Sequence, residues 1–432
     1  MTVNAGLPPV YRQSYGKLLL GRPIFLAEED AILLGADLRM LFGLLISLPN
    51  RLFNGNISRY AAALGMDSVL AEIICRGATG DPPLYARADL YHDGKSFRVL
   101  EFNVGSELGG IDSAAVNRAL LDIPSFGRFA ECHGLAFFDT AQATADLLRQ
   151  AARRINTTRN PVFALVEARG ALIEHEHVFL AIQEALERHG VALRLAEIQQ
   201  LSFTDGKAVL GDTPVDVILR YFAAEQLAGD NAALAILDRL LAADAAHKTV
   251  LFTHLEGALF ASKGSLGLLH EDFTRSCLSV KERKLVDRLV PWTRVIGRDL
   301  SGGRRKDIDQ LRRYCMCNRE SLVLKRGLGY GGVGVVVGRE CTVQEWHDAL
   351  DVAEGSDYVV QQIVKPASEQ VLNPHTGVVE NWHANWGVFI TDAGYSGAFV
   401  RALQGRHGSV ISYSNSQTRG APVFTFRNRN YQ

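Results

Sequence analysis

Neither sign of charge predominates in this chain: 46 lysines and arginines face 47 aspartates and glutamates, a formal net charge of −1. Such a balance excludes the broad basic footprint with which proteins grip nucleic acid or an anionic membrane, so any phosphate recognition has to be local. Thiol chemistry is equally thin. Of six cysteines the only close pair is Cys315-Met316-Cys317, without a second pair or nearby histidines to complete a zinc site, and all six read as reduced thiols. The start, MTVNAGLPPVYRQ, lacks a charged segment followed by an apolar run, and the most apolar early stretch, Met40 to Leu48, is too short for a bilayer and ends at Pro49. A cytoplasmic protein with no membrane or nucleic-acid partner is therefore expected. Two further signatures are missing: the G-x-x-x-x-G-K-[ST] phosphate loop and the G-x-S-x-G nucleophile elbow.

What is present is an ordinary globular composition, 47% hydrophobic and 22% charged over 432 residues, enough for two or three packed subdomains. Residues 1–150 begin with AEEDAILLGADLRMLFGLL, a helical pattern whose Glu28, Glu29 and Asp30 suit a helix N-terminus. They continue into LYARADLYHDGKSFRVLEFNV, where Asp93-Gly94 between two alternating or apolar runs predicts a β-hairpin. Residues 151–250 change texture: PVFALVEA reads as a buried strand, HVFLAIQEALERHG as a helix closed by Gly190, and VALRLAEI as the next strand, a βαβ unit with parallel pairing. In residues 251–432 short β-rich runs dominate after about 320: SLVLKRG, GVGVVVG, DYVVQQIV, NWGVFIT and SGAFVRAL. The fold class expected is α/β (α+β) with several small sheets.

Two constellations carry chemistry. In SLVLKRGLGYGGVGVVVG, Lys325 ends an apolar run and Gly327, Gly329, Gly331, Gly332 and Gly334 follow. Glycines let backbone N–H groups close over phosphate oxygens, and a lysine just before them adds a point charge. Gly327, Gly329 and Gly332 formally spell G-x-G-x-x-G, but that dinucleotide signature requires a helix to follow, and here Val-Gly-Val-Val-Val-Gly is strand-like. A strand–turn–strand flap over phosphates fits better; a glycine-rich hairpin with no ligand is the plain alternative. On the predicted hairpin, Arg87 and Asp89 share one strand face, as do Glu101 and Asn103 on the returning strand. Pairing around Asp93-Gly94 gathers two carboxylates and an amide oxygen, an all-oxygen set that suits Mg²⁺, with Arg87 beside it for a phosphate. Solvated polar positions on an edge hairpin are the alternative, yet Glu101 lies in the apolar run Val99-Leu100-Glu101-Phe102, where a carboxylate needs a partner.

Together these motifs resemble the circularly permuted ATP-grasp ligases, a group that includes the synthetase domain of glutathionylspermidine synthase. The shared pattern is an Arg-x-Asp strand, here Arg87-Ala88-Asp89, then Glu-x-Asn, here Glu101-Phe102-Asn103, both placed before the nucleotide-binding half. The resemblance covers about residues 80–420 and implies an ATP-grasp fold in permuted order, with a βαβ-type subdomain inserted mid-chain. It implies Asp89, Glu101 and Asn103 as Mg²⁺ ligands and Arg87 and Arg401 as phosphate-facing catalytic residues. It further implies that Lys325, Gly329, Tyr330, Gly331 and Gly332 cover the phosphates of ATP, and that Gln361, Gln362, Ile363 and Val364 form the hinge meeting adenine. A second nucleotide-contacting lysine is expected at Lys263, taken to open a helix after a strand-like run, with Lys284 as the alternative. Where the family continues Glu-x-Asn with Asp-Thr-Pro, this chain has Val104-Gly105-Ser106-Glu107-Leu108-Gly109-Gly110, which points to a different substrate.

The activity implied is ATP- and Mg²⁺-dependent joining of a small-molecule or peptide carboxylate to an amine; a homodimer is left open. An ATP-grasp phosphoryl-transfer enzyme, a non-catalytic nucleotide-binding partner and a dinucleotide oxidoreductase are the competing readings. His375, His383 and His407 read as scattered surface or loop histidines, and Arg304-Arg305-Lys306 after Gly302-Gly303 reads as a solvated loop. Residues 104–112 and the loop around 402–420 are expected to hold selectivity.

Overall fold

Both ends of the chain build the largest sheet. In the computed structural model, which describes residues 7–15, 19–155, 159–329, 331–373 and 376–427, the strand Ile24–Ala27 pairs in parallel with Arg419–Phe426. The seven-stranded order continues through Gly394–Leu403, Val379–Thr391, Tyr85–His92 and Phe97–Val104, with Ser368–Leu372 added beside Val379–Thr391. Period-2 alternation gives this sheet two distinct faces. Ala86, Ala88, Leu90, Phe102, Val104, Val388, Val400 and Ala402 are buried in one continuous apolar core, and the polar residues of the same strands point the other way.

Against the apolar face lies the 26-residue helix Glu28–Phe53, which begins at the acidic triplet as its charge pattern predicts. Leu34, Leu38, Leu41, Leu45 and Leu48 recur at helical spacing and share that core with the sheet. At Gly35 the helix crosses the strand Gly394–Leu403 so closely that a Cβ would sit 2.3 Å from the Tyr395 nitrogen. The apolar run stops at Pro49 but the helix does not; it continues through Asn50 and Arg51 to Phe53 and closes at Asn54 in the left-handed conformation, φ 52°. By length and composition this helix could cross a bilayer, and half of the relevant window is buried here inside the protein.

The middle of the chain forms the expected βαβ unit. Phe163–Glu167 and Leu193–Glu197, connected through the helix Glu176–Glu187, lie in a four-stranded parallel sheet completed by Val217–Arg220 and Val250–Phe252. A small antiparallel sheet (Leu201–Thr204, Lys207–Leu210, Thr213–Pro214) follows it.

The fourth sheet is antiparallel: Thr293–Val295, Tyr358–Gln362, Leu322–Arg326 and Val336–Val337. It packs on the helices Ile308–Cys317 and Val343–Glu354 through Ile308, Leu311, Cys315, Trp346 and Leu350. The second helix interrupts what reads as a purely β-rich region, and its signal is a capping box, Thr342 and Glu345, that alternation counting passes over. Three other expectations are corrected. GVGVVVG contributes only Val336–Val337 as strand, because Gly332, Val333 and Gly334 belong to the glycine turn and Gly338 opens the 3-10 turn Gly338–Glu340. The run before Lys263 is not a strand but the short helix Gly257–Ala261. Arg305 is not solvated: it is 4% exposed and ion-paired to Glu271 at 2.7 Å, with Asp307 beside it.

Candidate functional site

The polar face of the large sheet carries a stripe of charge. Asp93 turns the hairpin by accepting from the Lys95 and Ser96 amides, both at 2.9 Å, with Gly94 at φ +94°. The resulting register sets Asp89 opposite Glu101 and Arg87 opposite Asn103. A bulge follows at once, Leu90 pairing Val99, so Leu100 is left over and its carbonyl turns to the Gln361 side chain at 3.5 Å. On the neighbouring strand Gly387 stands opposite Asp89; a Cβ there would lie 3.1 Å from Arg87 Cδ, so the glycine makes room for Arg87 to lie across the sheet. One strand further, Arg401 stands opposite Asn385.

Cations saturate this stripe. Asp89, 2% exposed, receives Arg87 Nε at 2.9 Å on one oxygen and Arg401 Nη2 on the other. Burial opposes its ionisation, yet the guanidiniums of Arg401 and Arg87 win and bring its pKa down to about 2. Glu101 Oε2 pairs with Lys263 Nζ at 2.8 Å, and Lys263 also reaches the Gly329 carbonyl at 3.4 Å. Lys263 opens the helix Lys263–Leu268, capped by Ser262, whereas Lys284 is exposed on the helix Val280–Leu289, away from the cleft. Asn103 donates its amide N–H to the Arg87 carbonyl at 3.4 Å, which leaves Oδ1 for another partner.

The fourth sheet faces this stripe across a cleft of about 280 Å³. Lys325 is held by Gln361 Oε1 at 2.7 Å, and Gln361, wholly buried, donates to Thr293 Oγ1 at 3.1 Å. Burial lowers the Lys325 pKa to about 8; Glu101 pulls it up while Lys263 pushes it further down. Gly329, Gly331 and Gly332 roof the cleft, and Gln362, Ile363 and Val364 line its far end with Val323, Val337 and Ile411. The Gln362 and Ile363 amides already donate to the Trp292 and Ser321 carbonyls, both at 2.8 Å. Tyr330 and His375 lie outside the described residues.

A second lobe of about 180 Å³ adjoins the first, and the two share Asp89, Glu101, Lys263, Gly329, Gly331 and Arg401. Its own walls include Arg87, Asn103, Glu107 and Gly109. Glu107 is fixed by Arg220 at 2.6 Å, and Arg220, 1% exposed, also donates to the Thr253 carbonyl at 2.7 Å. Sequence reading marks 104–112 as important but gives no sign of Arg220, which arrives from the parallel sheet. It also passes over Asn385, Arg339 and the loop serines: Ser412 and Ser414 both donate to the Gly331 carbonyl, at 2.9 and 2.8 Å, tying the glycine loop to the loop after Leu403. His383 is no loop histidine; it stands on the strand Val379–Thr391 and lines the cleft.

The donor chemistry fits the groups the sequence implies. Carboxylate and amide oxygens without nitrogen or sulfur are the preferred ligands of Mg²⁺, and Glu101 and Asn103 each keep an oxygen outside the contacts described. Four cations (Arg87, Arg401, Lys263, Lys325) against two carboxylates (Asp89, Glu101) leave an excess of positive charge for a polyanion.

No protein-family model matches the chain, and no curated protein is significantly similar to it. Among solved structures it is similar to a glutathione synthetase-like effector from Globodera pallida, with 11% identity, a TM-score of 0.57, and coverage of 94% of this chain and 90% of that one. A protein assigned as a γ-glutamylcysteine synthetase from Methylobacillus flagellatus aligns over 90% of this chain and 88% of that one, with 13% identity and a TM-score of 0.41. D-alanyl-alanine synthetase A from Vibrio cholerae aligns over 62% of this chain and 90% of that one, with 11% identity and a TM-score of 0.29. The last two overlays are too loose to define a common fold. The first shows a shared fold over nearly the whole chain.

Proposed function

We propose that the protein is an ATP- and Mg²⁺-dependent carboxylate–amine ligase, with the ATP-grasp elements in permuted order. The observation that supports it most is the continuity of the cleft. A lobe with an apolar end, a glycine roof, the buried Lys263 and the half-buried Lys325 runs into a lobe walled by Arg87, Asn103 and Glu107, and the oxygen donors Asp89 and Glu101 line both. A nucleotide in the first lobe would direct its terminal phosphate into the second, where a carboxylate can meet it. The name of the Globodera protein, glutathione synthetase-like, is consistent with such chemistry.

In this reading Asp89, Glu101 and Asn103 hold the metal ion, which supplies charge neutralisation at the triphosphate. Lys263, Lys325 and Arg401 meet phosphate oxygens, and their charge offsets that of two anions brought together. The apolar walls Val323, Val337, Ile363 and Val364 take the adenine. Since the Gln362 and Ile363 amides are engaged, polar contact with the base falls to the carbonyls of this segment and to Val364. The glycine loop, with the serine loop bonded to it, keeps water from an acyl phosphate until an amine displaces the phosphate. The selectivity of both lobes is assigned to 104–112 and the loop after Leu403.

The test is a screen of carboxylates and amines for stimulated release of ADP and inorganic phosphate. The expected result is release that requires both partners; AMP and pyrophosphate as products would overturn the mechanism. Lys325 provides a second check. A triphosphate beside it favours the charged form, so near pH 9 nucleotide binding is expected to take up about one proton. Titration calorimetry in buffers of different ionisation enthalpy reads this directly. Lys325→Ala should abolish the uptake and weaken binding about 10- to 100-fold, the scale of a charged hydrogen bond. Buffer-independent heats in the wild type would remove Lys325 from the phosphate site.

A further inference from the structure

Buried polar atoms in a folded protein almost always have a partner, and an exception at the wall of a cleft calls for a missing one. Asn385 is such an exception. Its side chain is 7% exposed and lines the larger lobe, and its Oδ1 is buried without any hydrogen-bond partner. The amide orientation is set by its other end: Nδ2 donates to the Ile411 carbonyl at 3.5 Å, and turning the amide over would set two acceptors against each other. The orphan is therefore an acceptor. The nearest cation on the neighbouring strand does not supply the donor, because Arg401, opposite Asn385, has its Nη2 on Asp89.

Position narrows the donor further. Asn385 is two residues along its strand from Gly387, which stands opposite Asp89. At about 3.3 Å per residue that places it about 7 Å along the strand from the level of the acidic pair. Beyond it the apolar end formed by Val337, Ile363 and Val364 is suited to a flat base. The group lying between a metal-bound triphosphate and a base is the sugar, whose hydroxyls are neutral donors.

We infer that Asn385 Oδ1 accepts a hydrogen bond from a ribose hydroxyl of the nucleotide, and so makes the site selective for ribonucleoside over deoxyribonucleoside triphosphates. This rests on the nucleotide reading of the cleft. The experiment measures the affinity of the full chain, with Mg²⁺, for ATP, 2′-deoxy-ATP and 3′-deoxy-ATP. One deoxy analogue is expected to bind about five- to tenfold more weakly than ATP, the scale of one neutral hydrogen bond. In Asn385→Ala, ATP affinity falls by the same factor and all three ligands bind alike. Equal affinities in the wild type overturn the assignment without any variant, so the test survives a variant that does not fold. A variant that keeps the wild-type preference overturns it as well. If no nucleotide binds at all, the reading beneath it fails too, whereas tight binding of ATP without discrimination removes Asn385 alone.

Discussion

Glu101→Ala and Asn103→Ala are each expected to lower the rate of ADP release about a hundred- to a thousandfold, the cost of removing one preorganised electrostatic group from a reacting centre. Both side chains point from one strand face into the polar lobe, and neither contributes to the apolar core behind the sheet. The melting temperature should accordingly change little in Asn103→Ala, whereas Glu101→Ala, which leaves the buried Lys263 without its carboxylate, should also lower it. The two losses should also differ in kind. Removing Glu101 frees Lys263, whose Nζ it holds at 2.8 Å, so nucleotide binding without metal is expected to hold or tighten while turnover is lost. Asn103 has no cation of its own, and its loss should appear mainly as a higher Mg²⁺ requirement. Turnover within a few-fold of wild type in either variant, at limiting Mg²⁺, removes that residue from the metal site.

The hairpin that bears these residues is legible in the sequence because everything that defines it is local. Asp93-Gly94 sets the turn, the turn sets the register, and a period of two puts Arg87 with Asp89 and Glu101 with Asn103. The βαβ unit is legible for a similar reason, a helix of one period between strands of another. What escapes is whatever depends on segments far apart in the chain. Arg220 reaches Glu107 across 113 residues, and Asn385 meets the cleft only because its strand lies between the hairpin and Gly394–Leu403. Arg305 looks solvated in its own loop; Glu271, which buries it, comes from 34 residues earlier. Lys263 is a case between: the helix it opens is visible locally, but its pairing with Glu101 is not.

Asp89→Asn should be the most destabilising change in the site, by about 3–5 kcal/mol, because it leaves two guanidiniums close together without their counter-charge. The carboxylate is 3% exposed at its side chain, and Arg87 and Arg401 are 17% and 18% exposed, so water cannot replace it. Asparagine keeps the shape but sets its amide N–H₂ against an arginine donor. The pH dependence follows from the shift. Since the folded pKa, about 2, lies below the usual 3.8, the contribution of Asp89 is complete above about pH 4 and is lost as the pH falls toward 2. The stability gap between wild type and variant should thus be flat from pH 8 to about 4; a gap that closes near pH 6 contradicts the buried ion pair. Nucleotide then separates structure from function. Both oxygens of Asp89 are engaged by arginines, so the carboxylate can reach a metal ion only when Arg87 or Arg401 turns to another anion. If a triphosphate is that anion, it also supplies the counter-charge that Asp89→Asn removes. ATP is therefore expected to raise the melting temperature of the variant by more than that of the wild type, even without Mg²⁺. Equal increments would mean that the two arginines serve the fold alone.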